Sequence, residues 1–191
     1  MNALTPEQLI IRKRGRRVLL IIFAMFFGSM ALAGALRFSG WMPQVNRNHG
    51  QLFEPPLDLR QEPLRLADGS PYEWNPAARH WRIVLAPAAE CAPACVTLSQ
   101  QLDTVWQLFG HNADNVEILW LGAPPEQVTA SPALKVLQAS PAFRAKLPGV
   151  DDPAGIPVYV IDPNGFVVLR YAPGFDPGGL RTDLSRLLKL K

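Results

Sequence analysis

The stretch "HWRIVLAPAAECAPACVTLSQQLDTVWQLF", His80 to Phe109, holds a strand, a short loop with both cysteines of the chain, and a helix. His80 to Ala86 is an apolar run of buried-strand length. After the loop, Leu98, Leu102, Val105, Trp106 and Phe109 recur at helical spacing, which predicts a helix with Cys95 near its N-terminus. The place matters chemically, because the positive end of a helix dipole and its unpaired amides stabilise a thiolate and raise its reactivity. Cys91 and Cys95 form a C-x3-C pair open to three readings: a redox couple, a metal clip or a structural staple.

Outward toward the C-terminus, "VEILWLG" (Val116 to Gly122) reads as a second strand. Ser131-Pro132 and Ser140-Pro141 each read as an N-cap followed by a first-turn proline, predicting two short helices. "IPVYVID" and "FVVLRYA", joined through Pro163-Asn164-Gly165, form an antiparallel hairpin. Asp176-Pro177 caps a last helix with Leu180, Leu184, Leu187 and Leu188 on one face. The order β, helix, β, helices, hairpin, helix predicts an α/β domain, a mixed central sheet covered on both faces, with the cysteine loop at the carboxyl end of the first core strand.

Toward the N-terminus, "LRLADGSPY" (Leu64 to Tyr72) reads as a hairpin turning at Asp68-Gly69. Residues 39–63 are rich in Pro, Asn and Gly and read as a stalk, with Trp41 and Met42 at its membrane edge. Val18 to Leu36 carries no charged residue, and as a helix it matches a hydrocarbon core of ~30 Å. Arg12, Lys13, Arg14, Arg16 and Arg17 precede it, so residues 1–17 are expected to stay cytoplasmic and the rest to be exported. Thr5-Pro6-Glu7-Gln8 adds a helix start ahead of the basic run. A cleaved signal peptide ending in Ala31 to Ala33 is the competing reading. The expected organisation is a basic tail (1–17), a transmembrane helix (18–38), a stalk (39–63) and an extracytoplasmic domain (64–191).

The net charge is +3, yet residues 1–45 hold six of the nineteen Lys and Arg and one acidic residue, so the exported part is mildly acidic. The basic balance reports membrane topology and gives no ground for a nucleic-acid partner. A hydrolase is disfavoured, for there is no nucleophile elbow, zinc-ligand spacing or phosphate-binding loop.

A cysteine pair between the first core strand and first long helix, in this order of elements, resembles the thioredoxin fold over about residues 64–191. Within that superfamily, "HWRIVLAPAAECAPACVTLSQQL" and "VYVIDPNGFVVLRY" are similar to the Sco (SenC-type) proteins, membrane-anchored copper and thiol proteins of cytochrome c oxidase assembly. The resemblance implies a single-pass inner-membrane protein with its domain in the periplasm, and an envelope client such as an oxidase subunit. Two departures stand out. Val96 follows the second cysteine where the family usually has proline, and "DDPAGIPVYV" lacks the histidine that serves the family as a third copper ligand. His49, His80 and His111 match no ligand position. Ile156-Pro157 instead resembles the cis-proline that, in thioredoxins, faces the cysteines and presents backbone to a substrate; a trans proline opening a strand is the alternative.

Three functions follow for Cys91 and Cys95. As a thiol-disulfide couple, Cys91 is the attacking thiol and Cys95 the resolver, with Ile156 and Pro157 holding substrate; Ala92-Pro93-Ala94 supplies no cation and Glu90 opposes the thiolate. As metal ligands, both thiolates bind Cu(I), alone or with a ligand lent by a partner. As a static disulfide, they staple a non-catalytic assembly factor, which suits an oxidising compartment.

Overall fold

The computed structural model describes residues 6–39, 48–88 and 91–189. The chain divides into two compact units, residues 1–46 and 47–191. Thr5, Trp41, Met42 and Glu90, each given a role from sequence, lie outside the described residues.

In the first unit, α1 (Pro6–Phe38) is one continuous helix of 33 residues. Its Arg14–Phe38 portion is long and apolar enough to cross a membrane. Val18, Leu19, Leu20 and Ile21, four consecutive residues that go round the helix, are all exposed, so the helix has apolar side chains in every direction, as a lipid-facing helix does.

The second unit contains β1 (Gln51–Asp58), β2 (Leu64–Arg65), β3 (Pro71–Tyr72), β4 (Trp81–Leu85), α2 (Ala92–Gln107), β5 (Val116–Leu121), β6 (Leu134–Leu137), α3 (Pro141–Ala145), β7 (Val158–Ile161), β8 (Phe166–Tyr171) and α4 (Pro177–Leu187). Six strands form one sheet in the order β1-β8-β7-β4-β5-β6. The β4-β5 and β5-β6 pairs are parallel, and the β1-β8, β7-β8 and β4-β7 pairs antiparallel. The expected mixed sheet is present.

Period-2 alternation divides the apolar strand residues between two cores. Ile83, Leu85, Ile118, Trp120, Val158 and Val160 face Leu102 and Val105 of α2, Phe109 just beyond it, and Leu180 and Leu184 of α4. Val84, Leu119, Leu121, Tyr159 and Ile161 face Phe143 of α3, Leu147 and the β2-β3 hairpin. Trp106, on the flank of the α2 face, is half-buried and donates its indole N–H to the carbonyls of Ala113 (2.9 Å) and Val116 (3.1 Å).

Two elements differ from the expectation. Residues 51–58 lie within the expected stalk but form the edge strand β1, pairing Leu52 with Leu169 and Leu57 with Val167 around a register shift. Pro55 and Pro56 fall inside that irregularity, one of the few sheet positions open to residues without an N–H. The domain therefore begins ahead of Leu64. Ser131-Pro132 opens a turn rather than a helix: Leu134 N–H donates to the Ser131 carbonyl and the chain enters β6. The second Ser-Pro pair behaves as expected, Ser140 accepting the Phe143 N–H at the start of α3.

Residues 49 and 50 are held by a buried carboxylate on α4. Asp183, 2% exposed, accepts the His49 N–H (2.7 Å), the Gly50 N–H (3.1 Å) and the Tyr171 hydroxyl (2.8 Å), and its other oxygen lies 3.1 Å from His49 Nδ1. Glycine is required where these segments meet. A Cβ at Gly50 would lie 2.7 Å from the Tyr171 ring, and one at Gly179 would lie 2.8 Å from His49 Cβ. At the opposite end of the sheet the buried Arg82 donates to the Tyr72 hydroxyl (2.8 Å) and the Asp162 and Pro163 carbonyls (3.2 and 3.0 Å), tying the β2-β3 hairpin to the β7-β8 turn. His80 pairs with Glu117 beside it.

Candidate functional site: a disulfide at the head of α2

β4 ends at Leu85, and the chain leaves the sheet through Ala86, Pro87 and Ala88 before α2 begins. Cys91 is the N-cap residue of α2 and Pro93 stands in its first turn, where a missing N–H leaves no hydrogen bond unmade. The Cys95 N–H donates to the Cys91 carbonyl (2.8 Å), closing the first helical turn. Residues four apart on a helix share a face, and the two Cα atoms are 5.4 Å apart with the sulfurs bonded as a disulfide. The pair is asymmetric. Cys95 is fully buried in the core, whereas Cys91 is half-buried and lines two open recesses. An external thiolate therefore reaches only Cys91.

The larger recess is a cleft of about 1070 Å³ between Pro87, Ala88, Cys91 and Pro93 on one side and a far wall formed by the loop after β5 (Gly122 to Pro125) and the start of α3. The smaller, about 220 Å³, holds Cys91, Ala94, Arg144, Asp151 and Ile156. Arg144 comes from α3 and Asp151 from the loop ahead of β7, and they pair at 2.9 Å. The segment between the cysteines has no cation of its own, and α3 brings Arg144, paired with Asp151, to the wall of the Cys91 recess. Ser140-Pro141 marks a helix start, and Arg144 lies one turn on, but no local pattern says which strand end that helix faces.

Ile156 lines the smaller recess with Cys91 and a separate one of about 410 Å³ with Pro93 and Phe175. Pro157 differs from the expectation in one respect. The cis peptide bond among the described residues is Glu54-Pro55, and Ile156-Pro157 is trans. The chain turns earlier, at Gly155 with φ 139°, and Pro157 is a buried residue immediately ahead of Val158, which pairs with Leu85. A proline in that place leaves no ladder hydrogen bond unmade.

The histidines do not converge on the cysteines. His49 is engaged by Asp183, His80 by Glu117 at the other end of β4, and His111 follows α2 at the end remote from Cys91. Among the described residues no three His, Cys, Asp or Glu side chains cluster to hold a metal ion. Among the described residues the soft donors at the site are the two sulfurs, which are bonded to each other.

A family model described as transmembrane-like, thioredoxin-like, C-terminal domain matches residues 81–191. No curated protein matches the chain. Among solved structures, apo Sco1 from Thermus thermophilus is 15% identical at a TM-score of 0.54, with 76% of this chain and 99% of that one covered. ScoI of Arabidopsis thaliana, with copper bound, is 16% identical at a TM-score of 0.50, covering 74% and 99%. BsSco, described as having a disulfide switch and as a member of the Sco family of cytochrome c oxidase assembly proteins, is 15% identical at 0.50, covering 71% and 97%. At these identities the likeness is one of fold, and that fold is thioredoxin-like. The family match runs from the first residue of β4 across both cysteines to the C-terminus, more than half of the sequence, and on that match the chain belongs to the transmembrane-like, thioredoxin-like, C-terminal domain family.

Proposed function

We propose that this protein is a membrane-anchored, extracytoplasmic thiol-disulfide exchange protein serving the assembly of a respiratory cytochrome c oxidase. The observation that carries the reading is the asymmetric disulfide: Cys91 open at the N-cap of α2, and Cys95 buried one turn on. A client thiolate attacks Cys91 Sγ, the bond to Cys95 breaks, and its electron pair leaves on the Cys95 sulfur beside the helix N-terminus. A second client thiol displaces Cys91 from the mixed disulfide. The client is thereby oxidised by two electrons and the pair reduced; the reverse sequence reduces a client disulfide. The oxidase context is supported by the fold likeness to BsSco, an assembly protein, and the outward domain by the five basic residues of α1 that precede Val18.

Handling of copper as cargo is the second reading, favoured by the copper-bound Arabidopsis neighbour. The reduced pair offers two soft sulfur ligands, and a receiving protein would have to contribute any further one.

In full-length Cys95→Ser, expressed in cells that make the oxidase, the Cys91 thiolate attacks a client disulfide, one client sulfur leaves as a thiol, and no Cys95 thiol resolves the product, so a mixed disulfide between Cys91 and its client is expected to accumulate. The adduct should appear on a non-reducing gel, vanish on reduction, and be absent from Cys91→Ser and the double variant. Equal absence from all three, with the variants folded and in the membrane and the wild-type disulfide resistant to reduction by dithiothreitol in the folded protein, would leave the static staple as the better reading.

A further inference from the structure

The large cleft runs to the one accessible sulfur of the disulfide, on the side away from Pro173 and Phe175. Pro87, Pro93, Pro124, Pro125 and Pro141 supply much of its wall. Proline carries no N–H, so these surfaces present rigid apolar rings and few donors. Its charged lining is Arg144 and Asp151, already paired with each other at 2.9 Å. A carboxylate or ammonium entering the cleft would lose water and meet no uncompensated opposite charge. A second copy of the chain is a poor occupant, because the chain has two cysteines and both are in the disulfide, leaving no thiol to offer.

We propose that this cleft is the client-binding site, and that it takes an uncharged, apolar peptide segment carrying the attacking cysteine. The inference rests on the exchange reading and assigns that site's substrate class. The peptide thiolate attacks Cys91 Sγ, the Cys91–Cys95 bond breaks, its electron pair and then a proton go to Cys95, and the apolar neighbours of the peptide's cysteine lie against the proline wall. The chemistry at sulfur is the same for every thiol; the cleft sets which thiols stay long enough to react.

The test uses the full chain, oxidised, in detergent, with three thiols: dithiothreitol, a heptapeptide with cysteine between leucines and valines, and one with cysteine between serines and glutamates. Rates of mixed-disulfide formation or reduction are read by acid quench and mass spectrometry. The apolar peptide should react at least about tenfold faster than the polar one, the scale set by removing one or two apolar side chains from water. Ala123→Trp and Ala139→Trp, each an exposed alanine in the cleft lining, should bring the apolar-to-polar rate ratio close to one, both peptide rates being taken relative to the dithiothreitol rate of the same variant. No reaction with dithiothreitol would sink the exchange reading itself. Reaction with dithiothreitol but equal rates for the two peptides would sink the cleft assignment and leave exchange standing. A preference that survives both tryptophan variants but is lost in Ile156→Asp would also overturn it, placing the client on the Phe175 side. Equal protection from both peptides by phosphatidylcholine vesicles, with no preference between them, would assign the cleft to lipid and overturn it too.

Discussion

Asp183→Ala is expected to lower the stability of the 47–191 unit by about 3–5 kcal/mol, the range for removing one member of a buried charged network. The carboxylate is 2% exposed and receives the His49 and Gly50 N–H groups and the Tyr171 hydroxyl. Without it these donors have no acceptor, and the glycine contacts around Gly50 and Gly179 leave little room for water. Burial alone would raise the pKa of this carboxyl; the hydrogen bonds from His49, Tyr171 and Gly50 outweigh it and hold the pKa below the ordinary carboxylate value. The unfolded chain therefore binds this proton more readily than the native state. The stabilisation is fully present above about pH 4 and is lost as pH falls through the lower folded value. Denaturant midpoints should show the loss at pH 7, and Asp183→Asn should flatten the acid side of the stability curve. A change under about 1 kcal/mol for the alanine variant would mean that this network does not hold the N-terminal edge.

Phe143→Ala is expected to have a comparable effect, about 3–5 kcal/mol, because truncating a fully buried aromatic leaves a cavity the surroundings fill only in part. Phe143 is fully buried in the core opposite α2, with Leu147 and Tyr159. The consequence for function is specific. α3 has five residues, too short to hold itself as a helix, so the placing of Ser140, Pro141 and Arg144 in the cleft depends on that anchor and on the Ser140 cap. Beyond the lower midpoint, the variant should lose discrimination between apolar and polar cysteine peptides while still being reduced by dithiothreitol. Full stability with an unchanged peptide preference would show that α3 is held by other means.

The elements read well from sequence are those whose pattern repeats locally. β4, β5, the β7-β8 hairpin, α2 and α4 each show a run or a period that only one structure satisfies, and Cys95 falls at the head of α2 because Leu98, Leu102 and Val105 mark the face that starts there. What escaped depended on partners distant in the chain. β1 contains two adjacent prolines and pairs with β8 more than a hundred residues later, so its local signal is that of a linker. Ser131-Pro132 and Ser140-Pro141 are alike as dipeptides; Leu134 to Leu137 goes to β6 because an edge of β5 awaits it, and tertiary pairing overrides the cap. Arg144 and the Gly122 to Pro125 wall join Cys91 through the sheet, which no spacing along the chain encodes. Ile156-Pro157 is trans, an isomer that the dipeptide itself does not encode.

The central claim is that Cys91 and Cys95 are a working exchange couple, and the measurement that bears on it most directly is the midpoint potential of the pair in the full-length protein. Equilibrating the chain in detergent against dithiothreitol and glutathione buffers, with alkylation of the free thiols and mass counting, gives the dithiol fraction at each potential. Reversible two-electron behaviour with a midpoint above about −300 mV is expected, since a half-exposed sulfur at a helix N-terminus favours the reduced form relative to structural disulfides. A midpoint below that value, or a disulfide that opens only when the domain unfolds, would contradict it and make the pair a staple.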